Sequence, residues 1–187
     1  MDNENMRFLR ACRSQPVDAT PVWFMRQAGR YMEEYRALRK THSILELAKT
    51  PELACEVTLQ PLRALAVDAA ILFADILLIV EPMGLKLRFS PGPNISNPVR
   101  TADDIKRLRV EGAAAKLGCV FEAVRLIRRE TDGKQALIGF AGAPFTVASY
   151  MIEGGPSDHY RIAKAMMTDR PDLWDALMRK VRVVTAE

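Results

Sequence analysis

Residues 69–73, Ala69-Ala70-Ile71-Leu72-Phe73, constrain the fold more than any other stretch, because every position is apolar and aspartates, Asp68 and Asp75, bound the run. A strand with one wet face alternates apolar and polar side chains. A strand with no polar position needs cover on both faces, which is what helices give a parallel sheet. The apolar run over residues 69–80 is interrupted by Asp75 and falls short of the ~20 residues that cross a bilayer. Two further apolar segments, residues 22–25 and 136–140, are each followed by helical patterning. Strands alternating with helices in this way predict an α/β fold on a parallel sheet.

Taken in order, residues 3–13 carry helical spacing, with Met6, Leu9 and Cys12 on one face, and are expected to cap one end of the fold. Residues 16–20 read as a turn and residues 31–40 as a charged helix. Thr50 as N-cap, Pro51 at the first helical position and Glu52 in the first turn open a helix to about residue 66. Its buried stripe is Leu53, Val57, Leu59, Leu62 and Leu65, and Pro61 predicts a kink or a break. Residues 76–80 and 86–89 are extended candidates on either side of Glu81-Pro82-Met83-Gly84. Residues 90–98 are expected to be loop, since their three prolines lack the amide donors a ladder uses. Thr101-Ala102-Asp103-Asp104 is a capping-box-like helix start. Residues 116–130 give the clearest amphipathic helix, with Leu117, Val120, Phe121, Val124 and Ile127 opposite Arg125, Arg128 and Arg129, stopped by Asp132-Gly133. Helices over residues 145–152, 158–167 and 171–185 complete the chain, the first broken by Glu153-Gly154-Gly155-Pro156.

Net charge is +4, and residues 1–40 hold eight Arg/Lys against five Asp/Glu, so most of the excess lies there. A nucleic-acid binder would add lysine runs and interleaved aromatics; neither is present, and an acidic small molecule is the expected partner. Cys12, Cys55 and Cys119 form no CxxC pair, and with His42 and His159 they give no metal-ligand spacing. They read as buried free thiols in a reducing compartment. The first residues lack the apolar core of a signal peptide. The expectation is therefore a cytoplasmic protein that binds neither nucleic acid nor membrane.

Polar residues follow each strand segment: Arg26-Gln27-Ala28-Gly29-Arg30 after the first, Asp75 after the second, and Gly142-Ala143-Pro144 with Tyr150 after the third. In α/β folds the C-terminal strand ends carry the site. No glycine-rich nucleotide cradle follows any of them, which favours a (β/α) barrel over a doubly wound sheet. A (β/α)8 barrel takes ~250 residues, and this chain has 187 with about three β/α units. Residues 1–187 are therefore expected to form a single domain, the N-terminal part of an incomplete (β/α) barrel.

Three blocks, RQAGRY after PVWFM, TLQPLRALAVDAAILFADIL, and LIGFAGAPFTVASYMIEGG, resemble in order and spacing the signature blocks of the uroporphyrinogen decarboxylase family. That resemblance implies a (β/α)8 TIM barrel, homodimeric when full length, with no metal and no organic cofactor. It implies conversion of the four acetate side chains of uroporphyrinogen III to methyls, giving coproporphyrinogen III in haem biosynthesis. It also implies substrate binding by Arg26, Gln27, Ala28, Gly29, Arg30 and Arg39. Asp75 would lie beneath the macrocycle, accepting from pyrrole N–H groups, with Tyr150 bonded to substrate nearby. Asp75, Arg26 and Arg30 are the implied catalytic residues. The family's later serine and histidine are expected beyond residue 187, so the chain alone is expected to be inactive.

The residue types suit a polycarboxylate. A guanidinium binds a carboxylate bidentately and keeps its charge. An unpaired carboxylate in an apolar run is costly, so Asp75 reads either as substrate-facing or as an N-cap for the segment from Ile76. Arg39 reads alternatively as part of a solvated basic helix face, and Tyr150 as core packing. The proton donor is open between a guanidinium, a weak acid at neutral pH, and the acid form of Asp75, disfavoured beside arginines. Two rival readings are a barrel methyltransferase of the corrinoid- or thiol-dependent class and a non-catalytic truncated fragment.

Overall fold

The computed structural model describes residues 7–132 and 134–187. Along the chain run α1 (Arg7–Cys12), α2 (Glu33–Thr41), α3 (Ile44–Lys49), α4 (Pro51–Ala64), β1 (Ala69–Ile71), β2 (Leu87–Phe89), β3 (Pro93–Ile95), α5 (Ala102–Arg107), α6 (Gly118–Thr131), β4 (Ala136–Ile138), α7 (Pro144–Glu153), α8 (Arg161–Asp169) and α9 (Pro171–Ala186). Short 3-10 turns cover Leu78–Val80 and Ala114–Leu117. The chain divides into two units, Met1–Ala74 with Cys119–Phe140, and Asp75–Gly118 with Ala141–Glu187. Among the described residues no helix is long and apolar enough to cross a membrane.

In the first unit β1 and β4 pair in parallel, with Ala69 opposite Ala136, Ala70 opposite Leu137 and Ile71 opposite Ile138. The Leu72 amide donates to Ile138 O at 3.0 Å, carrying the ladder one step further. Ala54 and Cys55 of α4 pack with Leu72 and with Ala123 and Ile127 of α6. A second cluster joins Met32, Tyr35, Leu47 and Val57, with Phe73 against it, the Tyr35 and Phe73 rings meeting edge-on at 5.9 Å. Phe8 and Leu9 of α1 pack on Ala69 and Ala136, the first residues of both strands. The expected cap is therefore present, and Arg7 fastens it: Nε and Nη2 reach Asp18 at 2.8 and 2.6 Å, and Nη1 reaches Asp68 at 2.9 Å. The hydrogen bond from Arg7 holds the Asp18 carboxyl well below the usual carboxylate range.

In the second unit β2 and β3 form an antiparallel hairpin with Leu87 opposite Ile95 and Phe89 opposite Pro93. α7 ends on Gly154 at φ +88°, a left-handed position that favours glycine, and the Gly154 amide donates to Tyr150 O at 2.9 Å. Leu173, Leu177, Val181 and Val184 of α9 are buried, as are Val147, Ala148, Met151 and Ile152 of α7, and these two helices pack together. Lys180 of α9 crosses to α5, its Nζ donating to Ile105 O and Leu108 O at 2.8 Å each and to Lys106 O at 3.3 Å. These carbonyls lie at the C-terminal end of α5, where carbonyls run short of helical partners; Ile105 O also accepts from Leu108 N at 3.2 Å.

Several expectations are corrected. Residues 22–25 do not form a strand: Val22 to Phe24 carry no ladder and Met25 enters a turn. Val22, Trp23, Phe24 and Met25 are 43, 39, 54 and 80% exposed rather than buried. One main-chain bond, Asp68 N to Val22 O at 2.8 Å, ties the segment to the residue before β1, and one bond is not a ladder. Residues 76–80 are not extended, because Asp75 turns the chain: its Oδ1 accepts from Leu77 N at 2.8 Å and its carbonyl from Leu78 N at 3.1 Å. Residues 90–98 are not all loop, since Pro93 opens β3, the one strand position where a missing amide is tolerated. Pro61 does not break α4, which runs on to Ala64; so near the end, the proline removes few helical bonds.

The amphipathic helix begins at Gly118, after a 3-10 turn. It buries Ala123, Ile127 and Thr131, leaving Phe121 47% exposed. Of the cysteines only Cys55 is buried, and Cys12 is exposed. α3 is an addition to the expected elements, started by a capping box in which Ser43 Oγ accepts from Glu46 N and Glu46 Oε2 from Ser43 N. Residues 3–6 of the expected first helix, and Gly133 of the expected helix stop, lie outside the described residues.

The Lys180 cap gives a stability test. Lys180→Met keeps the aliphatic stem and removes the donor, and the expected loss is about 1.5–3 kcal/mol. It is read as a lowered urea midpoint with unchanged slope.

Candidate functional site

The first group of site residues is a turn. Gln27 N donates to Phe24 O at 3.1 Å, closing Phe24-Met25-Arg26-Gln27, with Arg26 at φ +59°. Positive φ at this turn position favours Gly or Asn, and an arginine there carries a local cost of about 1–3 kcal/mol. Gln27 holds the turn in place. It is 2% exposed, its Nε2 donates to Ala69 O at 2.9 Å, and its Oε1 accepts from Phe24 N at 3.2 Å. The Tyr31 hydroxyl donates to the Gln27 carbonyl. Arg36 of α2 then closes the exit, its Nη1 donating to Arg30 O and Tyr31 O at 2.9 Å each.

The outcome is an exposed Arg26 and an exposed Arg30 on a backbone that internal bonds define. No described residue pairs with either guanidinium. Gln27, expected among the substrate-binding residues, has its side chain facing inward, where it supports the turn. Ala28 packs against the Met32–Tyr35 cluster, and the Gly29 carbonyl accepts from Met32 N at 3.0 Å. Arg39 lies on α2 with its Nη1 donating to the His42 carbonyl, so its guanidinium is engaged at the end of its own helix.

The second group belongs to the other unit. Asp75 is half-buried. Its Oδ1 accepts from Leu77 N in an Asx-type turn. The 3-10 turn that follows starts at Leu78 with Leu77 as its N-cap and no side-chain cap bond, so Asp75 is not the N-cap of a helix from Ile76. Burial pushes its carboxyl up, and the Leu77 amide pulls against that shift. Gly142 is buried because nothing larger fits. A Cβ there would stand 2.6 Å from Val147 Cγ2 and 3.1 Å from the Cβ of Ile76, the residue after Asp75. Tyr150 is half-buried on α7, and its hydroxyl has no partner among the described residues.

Arg26, Gln27, Ala28, Gly29 and Arg30 thus share one turn, Arg39 sits on the following helix, and Asp75 and Tyr150 fall in the second unit. Sequence reasoning passed over Arg36, which reads as one more charge on a polar helix, and Thr58. The Thr58 hydroxyl accepts from Phe73 N at 2.9 Å and donates to Ala54 O at 2.7 Å. A lone hydroxyl in the buried stripe of α4 was the available signal. Among the described residues, no three of His, Cys, Asp and Glu gather as a metal set.

The family profile described as Uroporphyrinogen decarboxylase (URO-D) matches residues 3–187. A uroporphyrinogen decarboxylase of Sorangium cellulosum is 63% identical over 180 residues, covering 95% of this chain and 51% of its own length. Those of Alkalilimnicola ehrlichii and Trichlorobacter lovleyi are 59 and 57% identical, covering 97 and 98% of this chain and 51 and 54% of theirs. The chain therefore spans about half the length of the curated relatives it matches. Among solved structures, a methyltransferase from Methanosarcina mazei superposes with a TM-score of 0.67 at 20% identity, over 95% of this chain and 52% of that one. At that identity the likeness is one of fold.

The raised Asp75 carboxyl has a thermodynamic signature. A carboxyl that keeps its proton to higher pH when folded than when unfolded makes the native state bind more protons between the two values. Stability then falls as pH rises through that window and levels off above it. Asp75→Asn keeps an oxygen for Leu77 N and carries no charge. It is expected to raise the thermal midpoint at pH 7, the gain shrinking as pH falls toward the ordinary carboxylate range; a gain equal at all pH values refutes the assignment.

Proposed function

Because the chain belongs to the uroporphyrinogen decarboxylase family, we propose that it is the N-terminal part of a (β/α)8 barrel enzyme, contributing about three β/α units. The whole protein removes CO2 from the four acetate side chains of uroporphyrinogen III and yields coproporphyrinogen III. The cytoplasmic setting and the homodimer are part of the same proposal, carried by the family likeness. The observation that supports it most directly is the turn from Arg26 to Arg30. Two guanidiniums without partners among the described residues stand on a backbone held by Gln27, Tyr31 and Arg36. That is suited to a ligand that brings its own carboxylates.

The reaction follows from the substrate's electrons. A proton added to the α-carbon of a pyrrole, next to the ring carbon that bears the acetate arm, makes the ring cationic. The C–CO2 bond then breaks, its electron pair flows toward the ring, and CO2 leaves an exocyclic methylene. A second proton on that carbon completes the methyl, and loss of the first proton from the ring carbon restores the pyrrole. The pyrrole is the electron sink, so the enzyme's task is to bind the anion and stabilise the cation. In this reading Arg26 and Arg30 hold substrate carboxylates, and Asp75 accepts from pyrrole N–H groups and offsets the ring charge. Tyr150 bonds to substrate near Asp75. A carboxylate held in a partly desolvated place, at a cost to stability, is what such a role asks for.

The methyltransferase reading has a fold likeness at 20% identity behind it, against decarboxylase relatives at 53–63%. The charged turn also favours a polycarboxylate over a methyl donor. Incubating the whole protein anaerobically with uroporphyrinogen III decides between them. The expected product is coproporphyrinogen III, whereas methyl transfer without CO2 release overturns the reading. Arg26→Ala is expected to lower kcat/KM by about 10–100-fold, the loss of one charged hydrogen-bonding group. Asp75→Asn is expected to lower kcat by about 100-fold or more, and turnover near that of the unsubstituted enzyme removes Asp75 from the mechanism.

A further inference from the structure

The chain leaves β1 through Leu72, Phe73 and Ala74 before reaching Asp75. The Leu72 amide still finds the ladder, at Ile138 O. The Phe73 amide does not, and the group it meets is the Thr58 hydroxyl on α4, at 2.9 Å. Thr58 is 1% exposed, and its hydroxyl proton goes to Ala54 O at 2.7 Å. A hydroxyl has one proton and lone pairs to accept with, so both bonds together fix its rotamer. The Phe73 ring is fixed as well, edge-on to Tyr35. Just beyond, Ala74 packs against the Ala54–Ile127 cluster, and Asp75 is caught by the amides of Leu77 and Leu78. Between the held amide of Phe73 and the held carboxylate of Asp75, only Ala74 intervenes.

We propose that Thr58 is a positioning residue for the decarboxylation, holding the strand exit so that the Asp75 carboxylate is presented in one place. This rests on the role given to Asp75 under the proposed function. Thr58 touches no substrate in this account and acts only through the backbone at Phe73. A buried backbone amide at the end of a ladder needs a partner. With the hydroxyl gone, the amide turns to find one and the next residues move with it. Misplacement by about 1 Å at a reacting group can cost about 100-fold in rate.

The test compares Thr58→Val, which keeps the shape and loses the hydroxyl, with Thr58→Ser, which keeps the hydroxyl, both in the whole protein. Thr58→Val is expected to lower kcat by about tenfold or more with KM within about threefold, and Thr58→Ser to stay within about threefold of wild type in both. In native-state hydrogen exchange, the amides of Phe73 and Leu77 should exchange about tenfold faster in Thr58→Val. Those of Ala70 and Leu137 should be unchanged. A purely structural role lowers the thermal midpoint and leaves kcat of the folded enzyme alone, which overturns the proposal, as does a serine variant as impaired as the valine one. If the valine chain does not fold, Thr58→Cys, of similar size with weaker bonds, reports the same split. Should wild-type protein form no coproporphyrinogen, the decarboxylase reading fails by itself. Exchange then decides the remainder: acceleration confined to residues 73–77 sustains the hold of Thr58 on this segment, and uniform or absent acceleration refutes it.

Discussion

A parallel ladder three residues long leaves the backbone groups on its flanks to be satisfied elsewhere, and much of the first unit follows from that shortage. Two side chains answer it: Gln27 Nε2 donates to Ala69 O at 2.9 Å, and Thr58 Oγ1 accepts from Phe73 N at 2.9 Å. Leaving such a group buried without a partner costs about 1–3 kcal/mol, so each side chain is held as firmly as it holds. The arginine turn and the exit toward Asp75 are both fastened to β1 in this way.

The sequence was most legible where burial alone decides structure. Ala69 to Ile71 and Ala136 to Ile138 are strands because an apolar run with no wet face has few other places to go. Thr101 and Asp104 form their capping box as read. The misreadings share a cause, which is that composition does not say which backbone groups find partners. Residues 22–25 are as apolar as a strand, yet outside their own turn obtain one main-chain bond, and they expose their side chains. Residues 76–80 look extended until the Asp75 carboxylate takes the Leu77 amide. In the site, the arginines were legible as charge following an apolar segment. The inward role of Gln27 and the reach of Arg36 to two carbonyls depend on contacts that no local pattern encodes.

Pairing alone does not separate the two candidates from the rest of this basic chain, since among the described residues Arg10, Arg13, Arg88 and Arg161 are also without a side-chain partner; the backbone beneath them does. Arg7 is paired with Asp18 and Asp68, Arg63 with Glu56, Arg125 with Glu122, and Arg170 with Asp172. Arg36 and Arg39 spend their guanidiniums on carbonyls. Among the described residues Arg26 and Arg30 have neither, as several other arginines do not, but Arg26 sits at positive φ. A solvated basic face explains unpaired charge but gives no reason to hold it on a strained and heavily braced turn. Departures from local rules concentrate at functional sites, where surrounding structure sustains them.

The bracing also bears on how such a site tolerates change. The turn is set by Gln27, Tyr31 and Arg36 within the first unit, and Asp75 by the amides of Leu77 and Leu78 within the second. Each is defined by bonds to its immediate surroundings before any ligand arrives, so little ordering remains to be done on binding. Both are also locally unfavourable, one by backbone conformation and one by desolvation of a carboxylate. With no shared bonding partner in those sets, the two costs are expected to add rather than reinforce each other.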